Sequence, residues 1–131
     1  MICLDTSGYS HFVRGAREAV AIVVGASEIL LPAIVLGELR HGFRGGKREE
    51  ENEILLREFL ADEVVKVAVV DEGTSRHYAN ILLELKRAGR PIPTNDVWIA
   101  ALAAQHGATV VTYDEHFRHI LRIGAIILER K

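Results

Sequence analysis

The sequence predicts an α/β fold, a three-layer α/β/α sandwich whose central parallel sheet has about four or five short strands. Short apolar segments alternate with longer helical segments along the chain, which is the pattern of a parallel sheet covered by helices on both faces. The length of 131 residues and the hydrophobic content of 49% are typical of one globular domain. We therefore expect a single domain over residues 1–131.

In the first half, local signals mark each boundary. Asp5, Thr6 and Ser7 follow an apolar segment and favour a helix start, while Gly25 favours a helix end. Proline suits a first helical turn, so Pro32 begins the next helix. The predicted elements are a strand over Met1–Leu4, a helix through Ala16–Val24, a strand over Ile29–Leu31 and a helix from Pro32 to near Gly42.

In the second half, a basic connection over residues 44–48 precedes an acidic helix start, which suits the helix dipole. Pro91 and Pro93 exclude a helix, and Asn95 is predicted to cap the next one. That helix is apolar nearly all round, which indicates a central position. The predicted elements are a helix from Glu49 that buries Leu55, Leu56, Phe59 and Leu60, a strand over Val64–Val70, a helix from Asp71 to Gly89, a helix over Val97–Gln105, a strand over Ala108–Thr112, a short helix over His116–Leu121 and a strand over Ala125–Leu128.

Charge and composition exclude several classes of protein. The formal net charge of −2 argues against a protein that coats duplex nucleic acid with a broad basic face. The single cysteine, Cys3, excludes an intrachain disulfide and lies in an apolar segment, where a core position is expected. No apolar segment approaches the length of a membrane span, and no targeting signal is recognisable. We expect a soluble cytoplasmic protein without membrane contact.

Four acidic residues occupy positions that would converge in such a fold. Asp5 and Asp114 follow predicted strands, Asp96 lies in the first turn of a helix, and Glu38 lies about one and a half turns into another. Ligands of open parallel sheets bind beside the carboxyl ends of the strands. Because two like charges 4 Å apart repel by about 4 kcal/mol at an effective dielectric constant near 20, converging carboxylates require a cation.

The residue types indicate which cation. Carboxylate oxygens suit Mg²⁺ or Mn²⁺, and an ion held in this way polarises a phosphodiester and lowers the pKa of bound water. Zinc prefers His or Cys, and no CxxC, HxxxH or HExxH motif is present. No glycine-rich phosphate loop indicates ATP use. Six histidines show no ligand spacing and are expected to be mostly surface or structural residues: His11, His41, His77, His106, His116 and His119.

At this point the chain resembles a PIN-domain ribonuclease, and among these a VapC-type toxin of a toxin–antitoxin pair. The matching stretches span most of the chain. They are Leu4-Asp5-Thr6-Ser7, Leu36-Gly37-Glu38-Leu39, Thr94-Asn95-Asp96-Val97-Trp98-Ile99-Ala100-Ala101 and Thr112-Tyr113-Asp114-Glu115-His116-Phe117.

The resemblance implies a set of roles. Asp5, Glu38, Asp96 and Asp114 would bind one or two Mg²⁺ or Mn²⁺ ions and cleave RNA. It also implies a homodimer and a small cognate antitoxin that lays its carboxyl-terminal segment across the groove. Three polar residues would support the acids, Thr6 and Thr112 by orienting ligands or bound water and Asn95 as a second-layer donor. Glu115 neighbours Asp114 and could share the metal ion, but a position on the surface or in a first helical turn is expected for it.

A basic patch formed by Arg40, Arg44, Lys47 and Arg48 follows Glu38. A solvated face is the common explanation of such a cluster, and contact with the RNA backbone is the functional one. Arg14, Arg17 and Arg118 are weaker candidates for the same contact. Trp98 is expected in the core rather than as a platform for a base.

Two other classes of function remain open from the sequence. One is a binding module that keeps the fold but has lost catalytic turnover. The presence of all four motif acids argues against it. The other is a phosphatase or phosphoacceptor with Asp5 as nucleophile, against which stand the lack of a second Asp two residues later and of a Lys near Asp114.

Overall fold

The computed structural model describes residues 1–130. Within that range the strands are β1 (Ile2–Leu4), β2 (Ile29–Pro32), β3 (Val65–Ala68), β4 (Thr109–Thr112) and β5 (Ala125–Ile127). The helices are α1 (Thr6–Val13), α2 (Arg17–Gly25), α3 (Ala33–Arg44), α4 (Glu49–Leu60), α5 (Glu72–Arg87) and α6 (Thr94–His106), and a short 3₁₀ helix spans Glu115–His119.

The five strands form one parallel sheet in the order β3-β2-β1-β4-β5. Cys3 in the central strand pairs with Leu30 on one side and Val110 on the other. Strand order reverses between β1 and β4, and in open α/β sheets such a reversal opens a crevice for ligands at the carboxyl ends of the strands. The predicted α/β/α class and the strand number are confirmed.

The core lies on both faces of this sheet. All four residues of β2 are buried, and α6 buries Val97 together with every residue of the segment 99–103. Three of those five residues are alanines, whose small side chains let the helix approach the sheet closely. The prediction of a central, buried α6 is thus confirmed, and so is the core position of Cys3, which is fully buried.

A polar network and a ring stack fasten α5 to α6. The Asp71 carboxylate accepts from the backbone N–H of Thr74 and from the Gln105 amide, while the buried Thr74 hydroxyl donates to Gln105. Tyr78 stacks on Trp98 with ring centroids 3.8 Å apart. Trp98 is only half-buried and lies outside the buried core, so the predicted core position is not confirmed, although its ring packs on another side chain of the protein.

Several boundaries differ from the prediction. The expected long helix before Gly25 is two helices, because Gly15 adopts a φ of +83°, which favours glycine and ends α1. Strand β3 is only four residues long, and Val69 beyond it is 62% exposed. Leu55 was predicted to be buried but is 44% exposed, because the core side of α4 is reached by Leu56.

Near the carboxyl end the predicted helix over residues 116–121 is a 3₁₀ helix that stops at residue 119. Among residues 1–130, none of the helices combines the length and apolar character needed to cross a bilayer.

Candidate active site

The four acids predicted from the sequence line one cleft at the carboxyl edge of the sheet. The cleft has a volume of about 480 Å³, and its wall also includes Asn95. Asp5 follows β1, Asp114 follows β4, Asp96 lies in the first turn of α6, and Glu38 projects from α3. The fold thus brings together side chains that are up to 109 residues apart (114 − 5).

Asp5 is the most deeply placed of the four, with 4% of its surface exposed. It caps α1 by accepting from the backbone N–H of Gly8 at 2.8 Å, and it also accepts from the hydroxyls of Ser7 at 2.9 Å and Thr112 at 2.6 Å. Burial raises the pKa of the Asp5 carboxyl, while these hydrogen bonds act in the opposite direction. The carboxylate is therefore fixed in position at an energetic cost.

Two hydroxyl groups connect the carboxyl ends of β1 and β4. The Thr112 hydroxyl donates to Asp5 and accepts from the backbone N–H of Asp114 at 2.9 Å. The Ser7 hydroxyl makes a similar bridge: it donates to Asp5 and accepts from the backbone N–H of Tyr113. Thr112 was predicted as a supporting residue, but Ser7 was not given a role. Its position in the Asp-Thr-Ser stretch was the available signal.

Glu38 is held by the two other predicted supporting residues. Thr6 donates to one carboxylate oxygen at 2.6 Å, and the Asn95 amide donates to the other at 3.3 Å. The prediction that Asn95 caps α6 is wrong, since Pro93 occupies the cap position without a side-chain cap. Pro93 leads into the helix with extended backbone, so Asn95 is already helical and its amide turns to Glu38.

The pKa of Asp96 shows how the other acids of the cleft act on it. Burial, followed by the nearby charges of Asp114, Asp5 and Glu38, raises the pKa of the Asp96 carboxyl to about 6. Besides burial, the three neighbouring carboxylates all raise this pKa through charge repulsion, so the potential in the cleft is negative. A divalent cation would relieve this repulsion, so the donor set fits Mg²⁺ or Mn²⁺.

One further residue in the cluster was missed. His116 lies with its Nδ1 atom 2.9 Å from Asp114 Oδ1 and 3.7 Å from Asp96 Oδ2. These three side chains offer ligand atoms that all lie within 4.8 Å of one another. His116 is 49% exposed, so the expectation that most of the histidines are surface or structural residues is not contradicted by it. Its only sequence signal was a position two residues after Asp114.

The predicted basic patch is partly occupied by ion pairs. Arg40 makes a two-pronged contact with Glu53 that joins α3 to α4, and Arg44 lies 3.6 Å from Glu49. Lys47 and Arg48 are exposed in the connection between these helices. RNA contact by this patch stays a prediction, and the pairing of Arg40 with Glu53 weighs against it for that residue.

Other cations lie closer to the acids. Arg14 and Arg130 both line the acidic cleft. Glu115 is exposed and lies 3.4 Å from Arg118, so its neighbour in the structure is a surface cation.

Comparisons with known proteins agree with this geometry. The family model of the PIN domain matches residues 2–122. VapC ribonuclease Y4jK of Sinorhizobium fredii is 34% identical over 122 residues, which cover 87% of each chain. Toxin FitB of Neisseria gonorrhoeae is 33% identical over 122 residues, covering 87% of this chain and 88% of FitB.

Solved structures give the same result. The structure of VapBC-1 from nontypeable Haemophilus influenzae contains a chain that is 26% identical, with a TM-score of 0.82 and coverage of 97% of this chain and 98% of that one. The fold is also that of a chain in the VapBC2 structure from Rickettsia felis, with a TM-score of 0.87 at 24% identity over 98% of this chain and 100% of that one. This chain therefore belongs to the PIN-domain family and, within it, to the VapC ribonucleases of toxin–antitoxin systems.

Proposed function

We propose that this chain is an endoribonuclease that hydrolyses RNA phosphodiester bonds with Mg²⁺ or Mn²⁺ held by Asp5, Glu38, Asp96 and Asp114. The observation that carries the proposal is the convergence of these four carboxylates on one cleft. The ribonuclease names of its relatives indicate the substrate. When bound, the ion neutralises the carboxylates, polarises the phosphodiester and makes a water molecule more acidic.

The residues around the carboxylates keep them in place for this task. Thr112, Ser7 and the Gly8 N–H fix the Asp5 oxygens, and Thr6 with Asn95 fixes those of Glu38. Such hydrogen bonds set the orientation of each carboxylate before the ion or the RNA arrives. Binding therefore spends less free energy on ordering these two carboxylates.

The negatively charged RNA backbone is repelled by an acidic cleft, so cations along its route into the cleft are needed for RNA to bind. Arg14 and Arg130 in the cleft wall are the cations nearest to that route, and we assign them the contacts to phosphates that flank the scissile bond. Lys47 and Arg48 would extend the contact along the backbone. The charges of the acids themselves are offset by the metal ion.

A small antitoxin protein is the proposed partner. The solved relatives include VapBC complexes and the FitAB proteins bound to DNA. In this chain an apolar groove adjoins the acidic cleft, sharing Thr6 and Glu38 with it, and it displays the partly exposed side chains of Val13 and Leu55. A segment of the antitoxin lying in this groove would reach Glu38. A homodimer and a cytoplasmic location are part of the same proposal.

Incubation of the purified chain, freed of any antitoxin, with a total RNA pool tests the proposal. We expect cleavage with Mg²⁺ or Mn²⁺, no cleavage in EDTA, and recovery when the ion is restored. Asp96→Asn should abolish cleavage, while the matched exposed acid variant Glu58→Gln should cleave as wild type does. Absence of metal-stimulated cleavage of any RNA by a folded wild-type chain would favour a catalytically silent binding module instead.

A further inference from the structure

We propose that His116 is a ligand of the cation in the acidic cleft, and that its nitrogen donor favours Mn²⁺ over Mg²⁺. The inference rests on the proposed function in one respect, namely that the cleft holds a divalent ion at all. It adds a ligand that is not one of the four acids, and it gives the cleft a preference between two ions.

The geometry of the ring carries the proposal. His116 Nδ1 lies 2.9 Å from Asp114 Oδ1. Adjacent ligands of an octahedral ion with bonds of about 2.1 Å are roughly 3 Å apart, so this pair of atoms already has the spacing of two neighbouring ligands. Asp96 Oδ2 at 3.7 Å from the same nitrogen completes a triangle of three ligand atoms.

The backbone holds the ring in this place. The backbone N–H of His116 donates to Asp114 Oδ1 at 2.9 Å, so that the Asp114 side chain caps the 3₁₀ helix. The same residue therefore contacts Asp114 through its main chain and through its ring. The side chain is 49% exposed, so the ring has room to adjust when an ion enters.

The choice of ion follows from donor chemistry. Mg²⁺ takes oxygen ligands almost exclusively, whereas Mn²⁺ and the later transition ions also accept imidazole nitrogen. A neutral imidazole at the edge of three or four carboxylates adds a nitrogen donor without adding negative charge. A metal ion binds a ring nitrogen that carries no proton, so binding through Nδ1 requires the tautomer with its proton on Nε2.

The same distances also fit a competing role for His116, which the experiment below separates from the first. As an imidazolium, it would pair with Asp96 and Asp114 and take the place of a cation, so that ion binding must displace it. The two roles predict opposite effects of removing the ring. If His116 is a ligand, removing its ring weakens Mn²⁺ binding. If His116 is a competing cation, removing its ring strengthens the binding of both Mn²⁺ and Mg²⁺.

Binding of each ion alone, without RNA, separates these outcomes. We expect pulsed electron paramagnetic resonance of the Mn²⁺-loaded protein to show coupling to an imidazole nitrogen that is lost in His116→Gln. By titration calorimetry, His116→Gln should weaken Mn²⁺ binding by about tenfold or more and Mg²⁺ binding by less than about threefold. His106→Gln, at the far end of α6 from Asp96, is the matched control and should leave both affinities and the nitrogen signal unchanged.

The remaining outcomes overturn the proposal. Absence of a nitrogen signal in the wild type, or His116→Gln binding Mn²⁺ as tightly as wild type or more tightly, excludes a ligand role for His116. If Asp96→Asn abolishes Mn²⁺ binding while His116→Gln does not, the acidic ion site stands and only the role of His116 fails. If the folded wild type binds neither ion, the proposed function fails together with this inference.

Discussion

The hydroxyl of Thr112 donates a 2.6 Å hydrogen bond to Asp5, a residue 107 positions earlier in the chain. The two residues meet because β1 and β4 are parallel neighbours whose carboxyl ends lie side by side. The bond is buried, and its acceptor is a carboxylate that has lost nearly all contact with water. It therefore joins the stability of the sheet to the geometry of the acidic cleft.

Replacing Thr112 by Val should lower both the stability of the fold and the rate of RNA cleavage. Asp5 would lose its closest donor and the Asp114 N–H its acceptor, at a cost of about 2–4 kcal/mol in the free energy of unfolding. Cleavage should fall because Asp5 and Asp114 are no longer fixed relative to each other. Thr112→Ser keeps the hydroxyl and should recover most of both quantities, measured by urea denaturation and RNA cleavage. A fully active Thr112→Val chain would contradict the positioning role.

Gly8→Ala should destabilise the chain strongly. A Cβ atom at Gly8 would clash with the backbone oxygen of Val111, so α1 would have to move away from the sheet. We expect a loss of about 1–3 kcal/mol or more. Gly37→Ala is the control, because a Cβ there meets nothing within 4 Å and should stabilise α3 by about 0.5–1 kcal/mol. Equal melting temperatures for the two variants would refute this prediction.

Without a metal ion, stability should depend on pH through Asp96. The pKa of its carboxyl in the folded chain, about 6, lies above its ordinary value of 3.8. The folded state thus binds this proton more tightly than the unfolded state does, and the free energy of unfolding in EDTA should fall as the pH rises from 3.8 through 6. The loss from this group is at most about 3 kcal/mol.

Asp96→Asn should remove that dependence and make the metal-free chain more stable near neutral pH. Urea denaturation in EDTA at several pH values measures the effect, with Glu58→Gln as a matched exposed acid. Adding Mn²⁺ should stabilise the wild type but not Asp96→Asn. A wild-type chain in EDTA whose Asp96 contribution grows with rising pH would show that the sign is wrong.

The network between α5 and α6 should affect stability alone. Thr74→Val removes a buried hydroxyl that contacts Asp71 and Gln105, so the free energy of unfolding should drop by about 1–3 kcal/mol. Metal-dependent cleavage per folded molecule should stay unchanged, because neither partner lines the acidic cleft. Ser75→Ala, one residue along on the exposed side of α5, is the control and should lower stability less.

The arginines should separate into two classes. Arg14→Gln should weaken RNA binding and reduce its dependence on salt, because one phosphate contact is lost. Arg40→Gln should leave RNA binding nearly unchanged but lower stability slightly, because it loses the pair with Glu53. Binding of a labelled RNA at several salt concentrations distinguishes the two. If Arg40→Gln loses as much RNA affinity as Arg14→Gln, Arg40 contacts RNA and this prediction is wrong.

The sequence was sufficient wherever the deciding signal was local or followed from the topology of a parallel sheet. The apolar segment after Asn95 indicated a central helix on its own, and the carboxyl ends of parallel strands must share an edge, which brought Asp5 and Asp114 together. The break at Gly15 was missed because the residues that follow it, over positions 16–19, are good helix formers. Only the positive φ of this glycine in the folded chain reveals the turn.

The remaining errors depend on partners that are distant in the chain. Spacing rules for metal ligands compare residues within one segment, so they could not pair His116 with Asp96, which α6 brings from 20 residues earlier (116 − 96). Arg40 looked like a free cation because Glu53 lies on the next helix. Asn95 resembled a helix cap because its hydrogen-bond partner, Glu38, is 57 residues away and cannot be identified from the local sequence.

Strand β4 lies beside the central strand β1, and the residues that follow β4 complete the acidic cleft. Asp5 gains its Thr112 partner, 107 residues later in the chain, only when the segment that forms β4 has paired with β1. The acids therefore depend on the last pairing steps of the sheet for their arrangement. A chain with β4 detached would retain every carboxylate but would have no cleft.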